Sequence, residues 1–103
     1  MILLEQIIEY IKQKYNPLSI ILYGSYANGT NTLNSDFDAL VISESHRQFH
    51  DISFVGNIQL DLFVYPVSFF KGEFDCNDFL QIFDGKIITD SENTGKNLLT
   101  RVQ

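Results

Sequence analysis

The chain has no tryptophan, one cysteine, one methionine, two prolines and only seven basic residues in 103. Each shortage removes a class of protein. A lone Cys76 cannot close an internal disulfide, which excludes the small disulfide-stapled secreted scaffolds and makes a reducing compartment the default. No apolar run approaches the roughly 18 residues that a membrane-spanning helix needs. Met1-Ile2-Leu3-Leu4 also lacks the positive start of a signal peptide and soon meets Glu5 and Glu9, so a cytoplasmic protein with no membrane attachment is expected. Seven basic against thirteen acidic residues leave a formal net charge of −6, and no lysine or arginine falls between Tyr15 and His46. The clustered cations that displace counterions from a nucleic-acid backbone are missing, so direct nucleic-acid binding is not expected. A nucleotide, a small molecule or a protein partner needs no such footprint.

What is present is ordinary globular material, 45% apolar and 19% charged, in a length that suits one domain over residues 1–103. Leu4, Ile7, Ile8, Ile11 and Tyr15 recur at helical spacing, which predicts an amphipathic helix over 2–15, stopped by Asn16-Pro17. Residues 18–23 read as a short buried strand. Ser25 is placed to cap a short helix over Tyr26–Gly29. A second strand spans Asp36–Ser43, and runs 51–55 and 58–65 form a hairpin about Gly56-Asn57. Val67–Phe70 and Phe74–Phe83 look helical in part, Lys86–Thr89 forms a short strand, and Glu92–Val102 a closing helix. The simplest fold that covers these faces is an α+β (α/β) arrangement, a mixed sheet with helices mainly on one face and the carboxylate face open.

Three aspartates stand out. Asp36 and Asp38, two apart in a strand, point the same way about 6.5–7 Å apart along the chain. Like charges at that spacing repel, and a divalent cation with a preference for hard oxygen ligands, Mg2+ or Mn2+, would neutralise them. Asp61, between Leu60 and Leu62, is expensive to desolvate in mid-strand unless a cation or hydrogen bonds compensate it. Gly24-Ser25 would serve simply as a strand-to-helix turn; equally, a residue with no side chain lets the backbone approach a phosphate, with the serine hydroxyl as a further donor. His46 and His50, four apart, could share a helical face as metal ligands, but no further ligand pattern accompanies them and they read as polar surface. Cys76 has no basic neighbour in sequence and reads as a packed or half-exposed thiol.

Gly24-Ser25, ten intervening residues, Asp36-Phe37-Asp38 and then Asp61 alone on a later strand form a combination that resembles the polymerase β-like nucleotidyltransferase superfamily, and within it the minimal nucleotidyltransferases. The helix before the turn and the Asp-Gly-Lys-Ile-Ile-Thr-Asp segment at 84–90 extend the likeness over roughly the whole chain. The resemblance implies the nucleotidyltransferase fold, with Gly24 and Ser25 binding nucleotide. Asp36 and Asp38 would bind Mg2+ or Mn2+, and Asp61 would be the third ligand and the candidate base. It further implies transfer of AMP from ATP to a hydroxyl of a partner protein with release of pyrophosphate, the chain acting as antitoxin to a small helical HEPN-type toxin. Two alternatives stand beside it: adenylylation of a small molecule such as an aminoglycoside, and a catalytically silent binding module. Tyr26 and Asn28, where relatives often carry arginine or lysine, favour the last. Association into a homo-oligomer is left open.

Overall fold

Helix α1 (Leu4–Tyr15) forms because Ile7, Ile11 and Tyr15 recur every four residues, and all three are buried. It ends at Asn16, whose φ of 44° leaves the helical region while its N–H still reaches the Lys12 carbonyl at 2.9 Å. The computed structural model describes residues 4–44 and 47–103, so the expected start of this helix at residue 2 lies outside the described residues.

Five strands follow: β1 (Ser19–Tyr23), β2 (Phe37–Ser43), β3 (Phe49–Val55), β4 (Ile58–Pro66) and β5 (Lys86–Asp90). Between them lie α2 (Ser25–Asn28), α3 (Val67–Lys71) and a 3-10 helix (Cys76–Ile82), and α4 (Thr94–Val102) closes the chain. The strands order as β3-β4-β2-β1-β5. Only β2 and β4 run parallel, the other neighbours being antiparallel, so the sheet is mixed, as expected. Helix α4 starts two residues later than periodicity suggests. Glu92 and Asn93 adopt φ of 61° and 57°, and the Asp90 carboxylate accepts the N–H groups of Gly95 and Lys96 at 2.9 and 3.0 Å.

The helices are shared between both faces of the sheet rather than gathered on one. On the first face Ile20, Leu22, Ala39, Val41, Leu62 and Val64 pack against α1. On the second, Ile21, Leu40 and Ile42 meet Phe79, Ile82, Leu98 and Val102. The physical reason is that β1 is buried at every position and β2 is apolar on both sides, so neither surface can be left to water. Each large side chain buried here contributes about 1.5–3 kcal/mol. Rings of Tyr65, Phe69, Phe70, Phe74 and Phe79, with centroids 5.0–5.9 Å apart, cover the end of the second face remote from β2's first residues. The end where β2 begins stays partly open, and that is where the acids stand.

Candidate active site

Strand register builds the site. Tyr23 of β1 pairs with Asp38 of β2, Asp38 with Asp61 of β4, and Asp61 with Ile52 of β3. Directly paired residues face the same way, so the row Tyr23–Asp38–Asp61–Ile52 crosses four strands on one face. The Asp38 and Asp61 side chains share a hydrogen bond, and Asp36 is near enough for its charge to act on Asp38. Asp61 is 27% exposed, turned to solvent rather than into the interior. The structure therefore brings Asp38 and Asp61 together and leaves Asp36 exposed just ahead of β2.

Gly24 completes the row from the other side. It adopts φ 75° and ψ −155°, and a Cβ built there would stand 2.5 Å from Asp38 Oδ2. Only glycine lets the turn come this close to the carboxylate. Ser25 does not cap α2 as expected: it is the first residue of that helix, Gly24 occupies the capping position, and no side-chain capping bond forms. It lies half-buried beside the turn.

Burial, followed by the charges of Asp61 and Asp36 and the hydrogen bond to Asp61, pushes the Asp38 carboxyl up to about 6. The same surroundings push the Tyr23 phenol up, through burial first and then the charges of Asp38 and Asp61. Among the described residues no lysine or arginine forms an ion pair with Asp36, Asp38 or Asp61. The electrostatics favour a positive ligand.

His50 departs from the expectation of polar surface. Its ring stacks on Phe63, its direct partner in β4, with centroids 4.2 Å apart and planes 4° apart, and its Nε2 meets Asp61 Oδ1. The signal for it lay in the hairpin. A two-residue turn at Gly56-Asn57 fixes the pairing, which sets His50 opposite Phe63 and diagonal to Asp61. His46, the other half of that pair, lies outside the described residues.

The nucleotidyltransferase domain family matches residues 4–93. The chain belongs to that family. This nucleotidyltransferase is also 29% identical, across 98% of its own length and 79% of the relative's, to "Putative protein adenylyltransferase MJ1305" of Methanocaldococcus jannaschii. Its fold matches, with a TM-score of 0.56 and 19% identity, a chain from a structure described as "Crystal structure of the toxin-antitoxin with AMP-PNP", covering 97% of this chain and 84% of that one.

The donor set of the nucleotidyltransferase fits a hard divalent cation. Among the described residues no group of three His, Cys, Asp or Glu side chains is placed to hold a metal ion. Mg2+ does not ask for one, since it keeps several waters and is held by one or two carboxylates together with substrate phosphates. The Asp38–Asp61 pair would supply those carboxylates, with the Gly24 backbone close beside Asp38. Among the described residues no helix is long and apolar enough to cross a membrane.

Proposed function

We propose that the chain is a metal-dependent adenylyltransferase that moves AMP from ATP to a hydroxyl of a partner protein and releases pyrophosphate. The observation that carries this reading is the abutment of Asp38 and Asp61 on neighbouring strands, with Gly24 pressed against Asp38 Oδ2. The name of the archaeal relative and the nucleotide analogue beside the toxin–antitoxin neighbour support the choice of ATP and of a protein acceptor. We infer the partner to be a small helical HEPN-type toxin, with this chain as its antitoxin in the cytoplasm.

In this reading Gly24 and Ser25 would hold the triphosphate, and Asp36, Asp38 and Asp61 would hold Mg2+ or Mn2+ together with its phosphates and waters. Bound there, the cation would offset the charge of carboxylates and phosphates and polarise the α-phosphate. The acceptor oxygen bonds to the α-phosphorus as the bond from that phosphorus to the β-bridging oxygen breaks. Pyrophosphate leaves with that electron pair. Asp61 takes the hydroxyl proton, its orientation held by His50. Most of the work is positioning and charge placement.

With ATP labelled at the α-phosphate, Asp38→Asn should lower transfer at least about 100-fold while circular dichroism stays unchanged. Normal labelling by that variant would end the assignment. One observation favours the silent-module reading: the Tyr26 ring packs on Phe37 at 5.5 Å, so the residue after Ser25 serves the core instead of a phosphate. Calorimetric titration with ATP and Mg2+ separates the two, since a silent module shows no metal-dependent nucleotide binding.

A further inference from the structure

Strand β3 is an edge strand, paired only with β4. Its first face is covered in part by α1, with Asp51 tied to Lys14. Its second face is bare. Ile52 is 57% and Phe54 61% exposed, and Leu33, 94% exposed, stands across a pocket of about 380 Å³ lined also by Asn34, Asp36, Asn57 and Gln59. The result is an apolar centre with a polar, acidic rim, the anatomy of a contact surface. It is continuous with the site, because Ile52 pairs directly with Asp61.

We propose that this face of β3 is the platform for the acceptor, and that the acceptor is a basic protein surface that sets an apolar side chain among Leu33, Ile52 and Phe54. The inference rests on the adenylyltransferase reading given above. Two arguments select the occupant. In-line displacement puts the entering and leaving groups on opposite sides of the phosphorus. Gly24 flanks Asp38 on the β1 side of the row, so with the triphosphate there the acceptor comes from the β3 side. Charge decides between a second copy and a different protein: each copy carries −6, and pairing two of them at an acidic rim is repulsive, whereas a basic partner is attracted.

The test uses the full chain with lysine–tyrosine and glutamate–tyrosine copolymers as acceptor probes, each followed by fluorescence anisotropy and by label from α-labelled ATP. The comparison variant is Ile52→Thr with Phe54→Thr, which removes apolar surface without altering charge and keeps strand-forming residues. The wild type should bind and label the lysine–tyrosine polymer at least tenfold better than the other. The double variant should lose at least fivefold of that binding while its affinity for ATP with Mg2+ stays within twofold. Equal treatment of the two polymers, no binding of either, or an unaffected double variant overturns the platform. A wild-type dimer in sedimentation that Phe54→Thr dissolves also overturns it, in favour of self-association. Absence of ATP binding in the wild type would instead be failure of the adenylyltransferase reading, and the platform would fall with it.

Discussion

Two aspartates, one on each face of the same sheet, meet opposite treatment. Asp51 of β3 is 9% exposed, and Lys14 Nζ lies 2.8 Å from its Oδ2 while the Tyr15 hydroxyl donates to the same oxygen. Burial would raise its carboxyl, but the hydrogen bonds from Lys14 and Tyr15 prevail and hold it below the ordinary 3.8. Among the described residues Asp38 has no such cationic partner. Burial and two neighbouring carboxylates push it up to about 6. Among the described residues the fold supplies a cation to the acid that is tied into the structure and none to Asp38, which is the arrangement the proposed cation site calls for.

The largest effect on stability should come from breaking the compensated side. Lys14→Met leaves Asp51 short of its charged donor and should destabilise the protein by about 1–3 kcal/mol in urea unfolding. Asp38→Asn, which relieves repulsion, should raise the melting temperature in metal-free buffer. If the two variants shift stability in the same direction, the contrast between the faces fails.

A loss no larger is expected at the turn. Gly24→Ala puts an L-residue at φ 75° and ψ −155°, a region essentially reserved for glycine, which costs about 1–3 kcal/mol. Its methyl would also meet Asp38 Oδ2 at 2.5 Å, so the carboxylate must move. Thermal melting should report the first effect, and weaker binding of ATP with Mg2+ the second. An alanine that leaves nucleotide affinity untouched would dissociate the turn from the acid pair.

Much of this geometry was legible in the chain. Period-two alternation sets Asp38, Leu40 and Ile42 on one face of the sheet and Leu60, Leu62 and Val64 on the other, and the packing clusters divide as that pattern says. Less was visible of what depends on contacts remote in sequence. Asp51 meets Lys14 across 37 positions, a pairing that no local period encodes. The spacing of His50 to His46 points only to polar surface, whereas the hairpin register is the informative signal for its place beside Asp61. Helices on one face would leave the acid face open, whereas Phe79, Ile82, Leu98 and Val102 cover that face over Ile21, Leu40 and Ile42, and the end at Asp38 and the β3 edge stay accessible.

Both acids can be read together in the pH dependence of stability. In metal-free buffer, as pH falls from 7 toward 4, folded Asp38 binds its proton near 6 while the unfolded chain waits until about 3.8, so this group adds stability on acidification. Below about 4 the sign reverses: unfolded Asp51 protonates at 3.8 while folded Asp51 stays ionised, and stability is lost as pH falls through the lower folded value. Melting temperature plotted against pH should therefore pass through a maximum between about 4 and 6. Asp38→Asn should flatten the rise on its neutral side without touching the acid limb, and Asp51→Asn should do the reverse from a lower baseline. A wild-type curve that falls steadily from pH 7 downward would mean that Asp38 is compensated after all, and the distinction between the two faces would be lost.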